Sequence, residues 1–276
     1  MNWVDRPHFA ADRQILQRYI PDQFRIEAGG PLHLARVSAI KNQRQGALVE
    51  TSLHRQLKEY YATSPAQIEA RLGSYRIDVL EDDRLIEIQH GSLAAIRDKI
   101  AALLADGHRV LVVKPIVARK SIVRLEGRGG RVLGRRASPK QGTILDLFHE
   151  LVYFTRVFPH RNLTLEVPLV EIDELRYPGH GRRRRRRKND HLVEDQKLLR
   201  IAELHRFQKG ADLVRLLPGE LPSPFHTADL AQSLDIPRWI AQRIAYCLRQ
   251  MRIAKQVGKQ GNTCLYQLRS AARKAA

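Results

Sequence analysis

Apolar positions change their period several times along the chain, and each change marks an element. Val49, Leu53, Leu57 and Tyr60 recur at helical spacing and predict a helix over residues 45–61. Ser74 to Leu80 and Arg84 to Gln89 alternate instead, on either side of Glu81-Asp82-Asp83, which predicts strand, turn, strand. Gly91-Ser92 stops the second strand, and Ser92 is suited to cap a helix carrying Leu93, Ile96, Ile100, Leu103 and Leu104. Gly107 ends that helix. Arg109 to Val113 is nearly continuous in apolar residues, the pattern of a strand buried on both faces.

Further on, the glycines of 119–136 predict a turned hairpin, and Thr143 starts a helix to Phe158 that is apolar on nearly every side. Leu163, Leu165, Val167 and Leu169 alternate as another strand. Residues 176–195 change character: Pro178-Gly179-His180-Gly181 precedes Arg182 to Arg187 and Lys188, which reads as an arginine-rich linker. The chain thus divides into an arm (1–40), an α/β domain (41–175), the linker, a smaller unit (196–270) and a basic tail (271–276).

Charge sharpens the picture. The 276 residues carry 48 Lys+Arg against 29 Asp+Glu, a net +19, which favours an anionic partner, above all nucleic acid. At 43% hydrophobic the chain has enough apolar residues for true cores. Two cysteines exclude a disulfide framework and a cysteine-rich zinc module, and the eleven histidines show no metal-ligand spacing. No apolar run reaches the ~20 residues of a membrane span, and no signal-peptide core or nucleotide-cofactor fingerprint is present. A cytoplasmic, nucleoid-associated protein is the expectation.

The hairpin at 74–89 holds the candidate chemistry. With Asp82-Asp83 as turn residues, Ile77 pairs with Ile88 and Val79 with Ile86, an apolar face. The opposite face pairs Leu80 with Leu85, Asp78 with Glu87 and Arg76 with Gln89. Carboxylates so opposed lie ~4.5–5.5 Å apart at Cβ and destabilise the sheet unless a proton or cation sits between them. A divalent cation with oxygen ligands resolves the conflict, and Mg²⁺ typically takes one or two carboxylates. Glu50 stands in line with Leu53 and Leu57, which turns a third acid toward the core side. A solvated outer face, with Arg76 neutralising the acids, is the plain alternative.

Helix glutamate, hairpin aspartate, Glu87-Ile88-Gln89, helix and strand together resemble the PD-(D/E)xK nuclease superfamily over roughly residues 45–115. The resemblance implies an αβββαβ mixed sheet flanked by helices, of which two of the first three strands are evident. It also implies that Asp78 and Glu87 ligate Mg²⁺ or Mn²⁺ with the Ile88 carbonyl, and that Glu50 orients a metal-bound water. Gln89 stands where the family has lysine, and no proline precedes Asp78. Gln89 would position the water or the scissile phosphate, with Lys114 as a candidate substitute cation.

Residues 211–268 resemble a winged helix-turn-helix domain. A helix from Ala211 to Leu217 precedes Pro218-Gly219, and Thr227 is suited to cap the helix Ala228 to Leu234. Pro237 fits the first position of a third helix, with Ala241, Ile244, Leu248 and Met251 inward. Arg238, Gln242, Arg243 and Arg249 lie on its other sides, able to reach bases or phosphates. Two strands then flank Gly258 to Asn262, with Lys259 in the wing. The alternative is a protein-interaction module.

The expectation is therefore an α/β protein with a small C-terminal winged helix, binding duplex DNA and hydrolysing phosphodiesters with Mg²⁺; a homodimer stays open. Arg182, Arg183 and Arg184 would serve as a non-specific phosphate clamp, or else belong to a solvated loop. A non-catalytic DNA-binding regulator on a nuclease-derived scaffold is the competing reading. An RNA-binding factor is the third.

Overall fold

The computed structural model describes residues 50–179 and 190–269, all within one compact unit spanning Gln45–Ala276. The N-terminal arm, the Arg182–Arg187 run with Lys188, and the basic tail lie outside the described residues. Helix α1 (Ser52–Tyr61) is followed by β1 (Ile68–Leu72), β2 (Tyr75–Glu81) and β3 (Arg84–Ile88). Then come α2 (Arg97–Ala105), β4 (Arg109–Val113), β5 (Ile116–Leu125) and β6 (Val132–Ala137). A short α3 (Leu147–Leu151) leads into two long strands, β7 (Leu163–Pro178) and β8 (His191–Phe207). The chain closes with α4 (Gly210–Val214), α5 (Thr227–Ser233), α6 (Arg238–Gln250), β9 (Ala254–Gln260) and β10 (Thr263–Leu268).

Strands β1 to β8 form one mixed sheet. β1, β2 and β3 are antiparallel neighbours, and β4 joins β3 in parallel. β7 lies parallel to β4 along its start and to β5 along its later half. β8 runs antiparallel on the other edge of β7, because Leu165 pairs with both Val112 and Phe207. Both faces of the sheet are covered, which is why Arg109–Val113 reads as a continuous apolar run. Leu53, Leu57 and Tyr61 of α1 cover Val79, Ile86, Ile88, Leu111 and Val113. Leu103 of α2 and Phe148, Leu151, Phe154 and Phe158 in and after α3 cover Leu85, Val110, Val112 and Leu165 on the other face.

Several expectations shift. The first helix begins at Ser52, with Thr51 as its N-cap, so Glu50 precedes the helix. β1 supplies a strand that the sequence pattern leaves unmarked. The stretch 143–158 is only partly helical, a 3-10 turn at Ile144–Asp146 and then α3. Residues 191–207, where the sequence pattern places the linker and the start of a second unit, pair with β7 as a strand of the main sheet.

The C-terminal elements follow the expected order with caps moved by one residue: His226 caps α5 and Pro237 caps α6. β9 and β10 pair through a tight turn in which Gly261 takes φ +58°. These elements share one continuous core with the sheet: Phe225, Leu230, Ile244 and Leu248 join Phe148 and Leu151. Among the described residues no helix is long and apolar enough to cross a membrane.

Candidate functional site

The hairpin register is the one that the turn chemistry predicts: Val79 pairs with Ile86, Leu80 with Leu85 and Glu81 with Arg84. Asp82 takes φ +50° in the turn, a conformation that Asp tolerates better than most residues. The alternation breaks at Asp78. Ile77 packs on the α2 side of the sheet while Val79 packs on the α1 side. The expected single apolar face of Ile77, Val79, Ile86 and Ile88 is therefore divided.

The cause is local. Asp78 Oδ2 accepts the Ile88 backbone N–H at 2.8 Å, so a carboxylate occupies the ladder position that a carbonyl would fill. Across the other edge of β2, Glu69 sits at φ +60° and the β1 pairing skips from Ile68 to Ala70. Strained backbone of this kind persists only where its surroundings fix it.

The two acids consequently meet different cations. On the α1 side, Asp78 lies 3.4 Å from His54 Nε2 and 3.4 Å from Lys58 Nζ. Lys58, buried under α1, also reaches Glu50 at 2.7 Å and Glu69 at 2.9 Å. His54 Nδ1 is 3.2 Å from Glu50. Arg76 closes the outer side of the group by pairing with Glu69. On the α2 side, buried Glu87 meets Lys99 Nζ at 2.5 Å, and the same ammonium donates to the Arg76 carbonyl.

Electrostatics separate the acids. Burial pushes the Asp78 carboxyl up, but hydrogen bonds from His54 and Ile88 and the charges of His54 and Lys58 outweigh it, leaving its pKa below the ordinary Asp value. For Glu87 burial prevails: the Lys99 bond opposes it, the Asp78 charge adds to it, and the pKa stands above the ordinary Glu value. Lys58 is held above the ordinary lysine value, because Glu50, Glu69 and Asp78 overcome the effect of its burial.

Glu50 and Asp78 thus meet around His54 and Lys58 on the α1 side, Glu87 lies on the α2 side, and the Ile88 N–H bonds to Asp78. Gln89 stands apart from the acids: its Nε2 donates to the Ser92 carbonyl at 2.9 Å. Lys114 is buried and donates to the carbonyls of His90 and Gly91, so it braces the chain after β3 and does not reach the acids. His54, Lys58, Glu69 and Lys99 were missed by sequence reasoning. The spacing 50, 54, 58 puts Glu50, His54 and Lys58 on one line, a signal that was available; Glu69 and Lys99 come from elements whose docking the sequence leaves open.

The oxygen donors of the hairpin can be compared with what a divalent cation needs. Among the described residues no three His, Cys, Asp or Glu side chains converge as a metal cage. Asp78 and Glu87 are hard oxygen donors. The Ile88 N–H points at β2, and a strand residue's carbonyl leaves on the same edge as its N–H. Asp78 is turned to His54 and Lys58 on the α1 side and Glu87 to Lys99 on the α2 side, so the two carboxylates do not face one another across an open site.

The expected DNA-contacting residues fall on two surfaces. Arg238, Gln242 and Arg249 are exposed on α6, and Lys259 is exposed on β9. Arg243 is engaged: it bonds to His149 after α3 begins and stacks 5.1 Å over Trp239. Arg182, Arg183 and Arg184 lie outside the described residues.

Fold and site together define a mixed α/β sheet covered on both faces, with cation-paired acids at one hairpin, of which Glu87 is buried. The chain belongs to the family described as a domain of unknown function (DUF8091), which matches residues 51–208. That match opens at the cap of α1 and closes just past β8, so it takes in the eight-stranded sheet with Glu69, Asp78 and Glu87, and leaves out Glu50 and α4 to β10. The chain is 29% identical over 221 residues to a protein of Treponema pallidum (strain Nichols) described as an uncharacterized protein, covering 79% of this chain and 84% of that one. No solved structure matches.

Proposed function

We propose that the chain is a DNA-binding protein that hydrolyses phosphodiester bonds at Asp78 and Glu87 with Mg²⁺, acting on the nucleoid in the cytoplasm. The observation that carries this reading is the pair of carboxylates on adjacent strands, buried Glu87 and half-buried Asp78, whose charges oppose each other, in a chain of net charge +19. The αβββαβ order of α1 to β4 agrees with the nuclease resemblance, and the helices and hairpin from α4 to β10 agree with a winged helix. Asp78, Glu87 and the Ile88 carbonyl would hold the ion, which supplies charge neutralisation at the phosphate and a more acidic attacking water.

The chain's own residues have distinct tasks in this reading. Lys58 and His54 keep Asp78 ionised, and Lys99 pairs with Glu87. His54, set between Glu50 and Asp78, is placed to carry a proton at Nε2. Calorimetric titration with Mg²⁺ tests the ligand assignment: a site lost in Asp78→Asn supports it, and heat unchanged by that substitution rejects it.

One observation favours a second reading, a DNA-binding regulator without catalysis. Gln89 is tied to Ser92, and every acid of the cluster already has a protein cation. Conversion of supercoiled plasmid to nicked circles separates the two, since only the first reading expects it.

A further inference from the structure

The cleft between α3 and α6 has a lining that neither the sheet nor the acid cluster explains. His149, Val152, Tyr153, Trp239, Gln242, Arg243 and Tyr246 surround a cleft of about 310 Å³. That is the small end of the ~300–1,000 Å³ range of ligand sites. Trp239 is 51% exposed, Tyr153 55% and Tyr246 38%, although large aromatic side chains ordinarily bury most of their surface. Three exposed rings around one cleft are therefore costly to keep in water.

The indole is also held in place. His149 stacks on Trp239 with centroids 5.0 Å apart and planes 21° from parallel. Arg243 bonds to His149 and lies over the same indole. Burial and the Arg243 charge keep the His149 pKa below its ordinary value, which favours a neutral imidazole beneath the indole. Beneath them Phe148 and Cys247 are buried, and the Cys247 thiol meets the Phe148 carbonyl at 3.9 Å, so both walls stand on the common core. A rigid aromatic platform beside a guanidinium and an exposed amide has three properties at once: a face for stacking, a positive charge for phosphate, and a donor–acceptor edge in Gln242.

We propose that this cleft takes one unstacked nucleobase of a single-stranded nucleic acid, its ring against Trp239 and the tyrosines and its polar edge toward Gln242. The inference rests on the nucleic-acid reading above and narrows it: the partner carries at least one unpaired base. A base inside a duplex has no free face to offer, so the same α6 residues that suit a major groove act here on an opened strand. Arg243 is the anchor of the platform, and Arg238 and Arg249, exposed on the same helix, lie where the flanking backbone would run.

The chain has two tryptophans, Trp3 and Trp239, so Trp3→Phe leaves Trp239 as the sole indole reporter in the full-length protein. Its fluorescence is followed while a ten-nucleotide oligothymidine, an abasic strand of equal length, and a fully paired duplex are added at low salt. The proposal expects quenching by oligothymidine alone, and about tenfold weaker binding in Gln242→Ala and in Tyr153→Ala. Equal quenching by the abasic strand, or binding with no change at Trp239, overturns it while leaving the nucleic-acid reading intact. The latter result is also the one expected if the cleft instead docks a protein. Failure to bind any of the three overturns the nucleic-acid reading and this inference together.

Discussion

Lys58 Nζ lies 3.4 Å from Asp78 Oδ1, although the lysine is rooted on α1 and the acid on the central strand of a hairpin twenty residues later. This contact ties the covering helix to the one place where the sheet departs from regular pairing. It also makes Lys58 the hub of Glu50, Glu69 and Asp78. Without Lys58, Glu50 and Asp78 keep only His54 and Glu69 keeps only Arg76, and the solvent that reaches Glu50 and Glu69 softens the loss. Lys58→Met is expected to cost about 1–3 kcal/mol in urea denaturation. Adding Asp78→Asn to it should recover part of that loss.

The Glu87 carboxyl stands above the ordinary Glu range because of burial, with the Asp78 charge as a further contribution. In an NMR titration of the side-chain carboxyls, Glu87 should protonate at higher pH than the exposed glutamates. In Asp78→Asn its pKa should fall toward the ordinary value. An unchanged Glu87 in that variant would mean that the two acids do not sense each other.

Acid should loosen the attachment of α1. The Asp195 carboxylate on β8 accepts from the Ser52 N–H at 2.8 Å and the Ser52 hydroxyl at 2.6 Å, at the positive end of α1. Burial pushes Asp195 up, but those bonds win and its pKa lies below the ordinary Asp value; Glu69 and Asp78 are lowered as well. A lowered carboxyl binds fewer protons in the native state, so its stabilisation is full above the unfolded pKa of ~4 and is lost as pH falls through the native value. The melting temperature should drop steeply below about pH 4. In Asp195→Asn that dependence should be shallower.

Cys247 reports on how the C-terminal elements join the sheet. It is buried on α6 against Phe148, and burial pushes its thiol up to about 12. Cys264, on β10, is partly exposed. A thiol reagent at pH 8 should modify one cysteine quickly and the second only at the rate of unfolding. Fast modification of both would contradict a shared core.

Much of this fold is legible along the chain, for identifiable reasons. The hairpin register follows from the polar turn Glu81-Asp82-Asp83 between two alternating runs, and β4 from an apolar run too short for a buried helix. β1 escapes because Ile68-Glu-Ala-Arg-Leu72 suits a helix as well as a strand. β8 escapes because it is rich in charge: its strand is fixed by backbone pairing to β7, and apolar side chains such as Val193, Leu199 and Leu204 stay exposed. Asp78 and Glu87 stand out in the sequence as acids on the hairpin, but the direct cross-strand pair that the turn predicts for them is not formed, since the ladder runs only from Val79–Ile86 to Glu81–Arg84. Spacing along α1 marks Lys58, whereas Lys99 comes from a helix on the opposite face, and no local pattern states where that helix will dock. The break in alternation at Asp78 is likewise invisible in sequence, because it arises from a side chain replacing a backbone acceptor.

Supercoiled plasmid incubated with the full-length protein and Mg²⁺ tests the central claim most directly. The account predicts nicked circles with wild type, loss of nicking in EDTA, and at least ~100-fold slower nicking in Glu87→Ala, the scale of a lost charge-stabilising contact. Wild type that leaves the plasmid supercoiled, or nicking that is equal in wild type and Glu87→Ala, would contradict it.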